Sequence, residues 1–193
     1  MGRRPKPETR EALIAAGMEL FAKHGLDKPS LDDICEHAGF TRGAFYVHFE
    51  DRDSFLVAVM DKVGGTIVEE LLAAGSGGLA EAVQRFIAAS ASGKYPLMPA
   101  GGIRPHQLLD ACARSPVLRE RYLQLVRLSA SRIADLVREG QKNGMLRADL
   151  DPARASMLLM AVVVGLQTMA DLGVETDLGP LGADILGLLM PKA

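Results

Sequence analysis

Residues 30–52, SLDDICEHAGFTRGAFYVHFEDR, constrain the fold more tightly than any other stretch of the chain. Ser30 is a good helix N-cap, and Leu31, Ile34, Cys35 and Ala38 follow it at helical spacing. Gly39 is placed to end that helix in the left-handed conformation. Thr41 caps a second short helix, with Phe45 and Phe49 as its apolar positions and Arg42, Tyr46 and His48 as its polar ones. Two short helices across a tight glycine turn make a helix-turn-helix, whose second helix has the size and placement to enter a DNA major groove.

The remaining sequence predicts helices throughout, about nine in all, and no strand alternation. Thr9 opens a first helix to about Lys23, with Leu13, Ala16, Gly17, Leu20 and Phe21 on one face. From Asp51 or Asp53 a long helical pattern carries Leu56, Val59, Met60, Val63, Ile67 and Leu71 as one stripe, interrupted by Gly64-Gly65. That pair reads as a site of close helix packing, as a plain break, or as a hinge between an N-terminal and a C-terminal unit. Residues 75–78 (GSGG) read as loop, 79–92 as an amphipathic helix, and 93–105, with three prolines and three glycines, as irregular. Helices follow at about Pro105 to Arg114, from Ser115-Pro116 to about Lys142, and from Asp151-Pro152 to Gly173. The last spans about Pro180 to Leu189, with Leu181, Ile185, Leu188 and Leu189 aligned.

The segment MLLMAVVVGL is apolar on every side, so its helix is either central in its own core or covered by a second subunit. Together with the last helix it suggests a homodimer closed by four helices about a two-fold axis. The uncharged run Ala155 to Ala170 falls short of the roughly 20 apolar residues that cross a bilayer, and the charged N-terminus lacks a targeting core. A cytoplasmic location without a membrane partner is therefore expected. Cys35 and Cys112 are then expected to be unpaired thiols, with Cys112 considered as a redox sensor.

Charge gives little help. The net charge is −2, and residues 1–52 hold eight Lys or Arg against nine Asp or Glu. Any nucleic-acid contact must rest on the placement of charge, including the basic arm Arg3, Arg4 and Lys6 among two prolines. No nucleophile elbow, phosphate-binding loop or zinc-protease motif is present, and Cys35-x-His37 is too sparse for a metal. Neither an enzyme nor a cofactor is expected.

Helix one (TREALIAAGMELFAKHG), SLDDICEHAGFTRGAFYVHF and the following EDRDSF resemble the TetR family of bacterial transcriptional regulators over roughly residues 6–60. The C-terminal two-thirds matches in helix count and placement only. The resemblance implies an all-α homodimer, with a DNA-binding domain at 1–52 and an effector-binding and dimerisation domain at 53–193. It also implies a palindromic operator and a repressor released by a small molecule. An activator of the same fold, or a helical enzyme or carrier keeping the motif as scaffold, are the alternatives.

By the resemblance, Thr41, Arg42, Gly43, Tyr46 and His48 fall where the family's recognition helix meets DNA. Arg42 is the base reader, since a guanidinium can bond guanine at two points, and Gly43 lets the backbone approach. Thr41, Tyr46 and His48 would hold phosphates, as would Ser30 and Arg52 at helix N-termini. The chain departs from the family with Arg52 for the usual Lys, Cys35 for the usual Ala, and Val47 for an often polar residue. Effector pockets of the family lie in the C-terminal domain, which makes Tyr95, His106, Gln107, Tyr122 and Gln167 the polar candidates there. Methionines 98, 157, 160 and 169 would add an adaptable lining for an apolar or amphipathic ligand.

Overall fold

The computed structural model describes residues 7–72, 77–91 and 105–191. Among these residues the fold is all-α, with no strand and nine α-helices. They are α1 (Pro7–His24), α2 (Leu31–His37), α3 (Arg42–Tyr46), α4 (Arg52–Thr66), α5 (Gly78–Ala91), α6 (Pro105–Arg114), α7 (Pro116–Lys142), α8 (Pro152–Asp171) and α9 (Leu178–Leu189). The chain forms two compact units, one of residues 1–63 with 96–122 and the other of 64–95 with 123–193. The expected loop at 75 and 76, most of the irregular stretch at 93–105, the arm residues Arg3, Arg4 and Lys6, and Tyr95 lie outside the described residues.

In the first unit, α1 packs on α2 and α3. The buried face of α1 is Leu13, Ile14, Ala16, Gly17 and Phe21, which adds Ile14 to the stripe read from the sequence and leaves Leu20 half-buried. Gly17 is there for space: a Cβ at that position would lie 2.5 Å from Cζ of Phe55, whose ring is fully buried. α6 contributes Leu108, Ala111 and Cys112 to burial, and α7 begins with buried Leu118. Ser115 spans 62 residues of sequence to donate its hydroxyl to Asp53 at 2.6 Å, and also accepts from the Leu118 amide at 3.3 Å. Arg114 reaches Asp27 at 2.7 Å, and Arg121 pairs with Asp61.

Gly64-Gly65 does not break α4, which runs on to Thr66 and then widens into a π-helical turn over Ile67–Leu71. The widening is visible in the Leu72 amide, which donates five residues back to the Ile67 carbonyl at 3.1 Å. Gly64 is a packing residue, since a Cβ there would come within 2.6 Å of Leu125 Cδ2.

The second unit has its core in Leu79, Ala82, Ile133, Leu136, Val137, Leu146 and Ala155, with Leu159, Met160, Leu186 and Leu189 packed against it. α9 lies on α5 through Gly182, whose absent Cβ would meet Ile87 Cδ1 at 2.7 Å. Leu188, expected on the inner face of α9, is instead 74% exposed. Leu189 packs against the core, and Leu188, one step around the helix from it, lies on the exposed side. At 20 residues α8 is longer than the uncharged run that bounded it in the sequence. By length and composition alone it is long and apolar enough to cross a membrane. It nevertheless buries Ala155, Ser156 and Gln167, and Asp151 caps it by accepting from the Arg154 amide at 2.8 Å.

The two kinds of helical glycine respond oppositely to a methyl group. Gly17→Ala is expected to cost about 1–3 kcal/mol, because the Phe55 ring has nowhere to go. Gly65→Ala, with nothing within 4 Å of its Cβ, is expected to stabilise by about 0.5–1 kcal/mol. Urea unfolding of the two variants beside the parent chain measures both signs.

Candidate nucleic-acid interface

The second and third helices are held by side-chain caps. Ser30 closes α2 with a reciprocal box: its hydroxyl accepts from the Asp33 amide at 3.1 Å, while the Ser30 amide donates to the Asp33 carboxylate at 2.7 Å. The Ser30 hydroxyl also donates to that carboxylate, and these bonds hold the Asp33 carboxyl below its ordinary value. At the other end Gly39 has φ +73°, and Phe40 donates back to the Cys35 carbonyl at 2.8 Å. That is the glycine-terminated ending its position in the sequence implied. Thr41 then caps α3 by accepting from the Ala44 amide at 3.3 Å.

α3 is five residues long and turns one side chain inward. Phe45 is fully buried, with ring centroids 5.2 Å from Phe49, 5.4 Å from Phe55 and 5.5 Å from Tyr46. Phe49 and Phe55 meet edge to face at 5.0 Å, and Phe21 completes the group at 6.1 Å from Phe55. With Phe45 committed to the interior, Thr41, Arg42, Gly43 and Tyr46 are all exposed, as is Val47, and His48 is half-buried. Gly43 has no neighbour closer to a hypothetical Cβ than the Thr41 hydroxyl at 3.7 Å, so this backbone is open to approach from outside.

Arg42 is not loose on this surface. Its guanidinium donates to the Asp32 carboxylate at 3.4 Å and to the Tyr46 hydroxyl at 3.3 Å, and lies 6.0 Å from the Tyr46 ring centre. Those partners, the Tyr46 hydroxyl first, push its already high pKa further up. The Tyr46 hydroxyl accepts from Arg42 and so keeps its own proton to donate.

Arg52 is placed differently from the expectation that it would hold phosphate. Its guanidinium turns inward and donates to the Pro29 carbonyl at 2.8 Å and the Leu26 carbonyl at 2.5 Å, over the Phe21 ring at 5.7 Å. It ties the α1–α2 turn to the start of α4. A guanidinium suits this position because its planar fork donates to two carbonyls in fixed directions while its face stacks on a ring. His37, a surface residue, bonds Glu19 at 2.8 Å and links α2 to α1.

The effector candidates fall in both compact units. His106 is exposed on α6, and Gln107 lies against the α1–α2 turn, its Nε2 2.6 Å from where a Gly25 Cβ would be. Tyr122 is half-buried on α7, and burial first, then the nearby Cys112, pushes its phenol pKa up. These three belong to the first compact unit and Gln167 to the second. Gln167 is 4% exposed, and its amide nitrogen has no hydrogen-bond partner among the described residues. An open cleft of about 590 Å³ in the second unit is lined by Gln141, Leu146, Arg147, Asp149 and Pro191 among others, and includes none of the candidates. Cys35 and Cys112 are buried, which pushes both thiols up and away from the reactive thiolate.

Residues 13–59 match the family described as bacterial regulatory proteins, tetR family, and residues 78–178 match one described as tetracyclin repressor-like, C-terminal domain. The HTH-type transcriptional repressor BepR of Brucella suis biovar 1 is 47% identical over 45 residues, covering 23% of this chain and 22% of BepR. The probable acrEF/envCD operon repressor of Escherichia coli K12 is 46% identical over 55 residues, covering 27% and 25%. The chain thus spans about a quarter of the length of the curated relatives it matches. Likeness to solved structures extends further. SmeT of Stenotrophomonas maltophilia in complex with triclosan has a TM-score of 0.72 at 28% identity, covering 94% of this chain and 89% of SmeT. The reduced form of E. coli NemR has a TM-score of 0.77 at 20% identity over 96% of this chain and 100% of NemR, a likeness of fold.

Replacing Arg52 by Met keeps much of the stem's packing and removes both carbonyl bonds. The expected loss is about 1–2 kcal/mol of stability, read by urea unfolding. Lysine at the same position is expected to recover only part of it.

Proposed function

The chain belongs to the TetR family of bacterial regulatory proteins, and from that premise we propose that it is a sequence-specific DNA-binding transcriptional regulator, a homodimeric repressor released from a palindromic operator by a small molecule. The observation that carries this reading is the outer face of α3. There Thr41, Arg42, Gly43 and Tyr46 stand exposed over a fully buried Phe45, within the segment that matches the family. Residues 1–52 form the DNA-binding part and 53–193 the effector and dimerisation part. Arg42 reads a base edge, Tyr46 and Thr41 give hydroxyls to phosphate, and His48 and the arm Arg3, Arg4 and Lys6 add backbone contacts. Ser30 acts at the N-terminus of α2. Arg52 supports the site from below, through the turn it ties.

Repression is supported by the names of the relatives, BepR and the acrEF/envCD regulator among them, which are transcriptional regulators and not enzymes. Effector binding is supported by SmeT, solved with triclosan, and by the unpartnered buried amide of Gln167. Of the other candidates, Tyr122 is the best placed to pair burial with a hydroxyl. The regulator acts in the cytoplasm, where its operator is.

The dimer closes through α8 and α9. Met157, Leu158, Val162, Met169 and Leu172 stand exposed along α8 and its end, and Leu188 on α9. Water-facing apolar rows of this length mark an interface, and a second copy of the same helices covers them in a two-fold arrangement.

The test begins with selection of duplexes from a random pool on the purified protein, followed by titration of the recovered duplex against a scrambled one. The parent chain is expected to prefer the recovered duplex, with dyad symmetry in the sequence. Arg42→Ala should lose roughly tenfold in discrimination at one position per half-site, whereas Tyr46→Phe should weaken all duplexes in the same proportion. Absence of any preferred duplex refutes the reading. Separately, Leu158→Glu is expected to sediment as a monomer where the parent chain sediments as a dimer.

A further inference from the structure

Among the described residues Asp32 is the acidic side chain that pairs with Arg42, the proposed base reader, and it takes no part in capping its own helix. The cap of α2 is made by Ser30 and Asp33 alone. Asp32 is exposed, projects from the first turn of α2, and meets Arg42 across the glycine turn at 3.4 Å. On its other side the Arg42 guanidinium donates to the Tyr46 hydroxyl at 3.3 Å. Tyr46 in turn packs edge-on to Phe45 at 5.5 Å, and Phe45 is fully buried. Arg42 is thus bracketed by a carboxylate from α2 and a ring anchored in the core, with N–H donors to spare on the same guanidinium.

We propose that Asp32 is a positioning and specificity-determining residue of the DNA interface: it holds Arg42 for a base edge and keeps that guanidinium from serving as a non-specific phosphate contact. The inference rests on the DNA-binding reading above.

Two physical effects combine. A long flexible side chain fixed before docking loses less conformational freedom on binding, which favours the one base that matches its pose. The carboxylate also repels phosphate, and it satisfies the cation whenever no guanine is present to compete for it. A docked duplex must therefore offer Arg42 more than backbone charge. An acidic group beside the reader weakens every non-specific encounter and leaves the matched one least affected.

The experiment uses the duplex selected on the full-length protein, the same duplex with the guanine facing Arg42 replaced, and a scrambled duplex. Each is titrated with the parent chain, Asp32→Ala, Asp32→Asn, Arg42→Ala and the double variant Asp32→Ala with Arg42→Ala. Asp32→Ala is expected to bind the scrambled duplex more tightly and to narrow the selected-to-scrambled ratio about three- to fivefold, the scale of an exposed ion pair. Asp32→Asn, which removes the charge and keeps the shape, should do the same. In the Arg42→Ala background, removal of Asp32 should leave discrimination at the guanine position unchanged.

The proposal is overturned if Asp32→Ala changes all three duplexes in equal proportion. It is equally overturned if the carboxylate alters guanine discrimination when Arg42 is absent. Thermal unfolding of Asp32→Ala at the parent temperature separates either result from a folding defect, and Asp32→Asn decides the matter should the alanine variant unfold. If the parent chain itself selects no duplex, the DNA-binding reading fails and this proposal with it. A selective parent with an unchanged ratio in Asp32→Ala and Asp32→Asn defeats this proposal alone.

Discussion

Burial of Phe45 against Phe49 and Phe55, with Phe21 packed on Phe55, sets the position of the outer face of α3. A five-residue helix has too few internal hydrogen bonds to persist by itself. Its location is fixed by the Thr41 cap at one end and by the ring it sends into the core. Once that ring is fixed, helical geometry decides the rest. Arg42 and Tyr46, four residues apart, share a face and reach one another, and Gly43 is left open beside them. The same aromatic group is also a platform for cations from below and beside. Arg52 stacks on Phe21, and Arg10 lies 5.5 Å from the centre of the Phe49 ring.

This arrangement changes the meaning of the charge balance. Eight basic against nine acidic residues in 1–52 already disfavour indiscriminate attraction to nucleic acid. Part of the basic set is further committed within the fold: Arg52 to two backbone carbonyls, Arg10 to Glu11 and an aromatic ring, Arg42 to Asp32 and Tyr46. The proposed interface therefore adds a requirement for fit to its phosphate contacts. It has to depend on the fit of a few groups whose geometry is set in advance, and the capping box, the glycine turn and the Phe45 cluster are what set it.

Much of this was legible in the residues because it depends on local chemistry. Ser30, Gly39, Thr41, Ser115-Pro116 and Asp151-Pro152 mark helix boundaries through caps and turn preferences that act over three or four residues, and the observed helices begin or end beside them. The helical character of the chain and its membership of a family were legible for the same reason. What was not legible depends on contacts distant in sequence. The inward turn of Arg52 requires carbonyls at Leu26 and Pro29, and no periodicity reports where those lie. Close packing was one reading of Gly64-Gly65, but only the position of Leu125 shows that it applies to Gly64 and not to Gly65. Leu188 faces out while Leu189 packs on the core, and two adjacent leucines in a sequence do not disclose which of them lies at the edge of the buried face. The Asp32–Arg42 pair could have been anticipated from opposite charges flanking a glycine turn, but the turn geometry decides whether they meet.

The proposed effector side has a different logic, because there the informative feature is an unmet need. Gln167 sits on α8 with its amide nitrogen buried and without a partner among the described residues, and the Ser90 hydroxyl on α5 is in the same condition. A buried donor left unmade costs about 1–3 kcal/mol, far more than an exposed polar group of the same kind. An apolar residue at either position would remove that penalty from the second unit. A group that accepts a hydrogen bond inside the unit would remove it too, and the free energy recovered would appear as affinity. For a chain read as a ligand-released regulator, that makes Gln167 the most informative of the five polar candidates. Its signal is the absence of an internal partner, which a sequence carries no trace of.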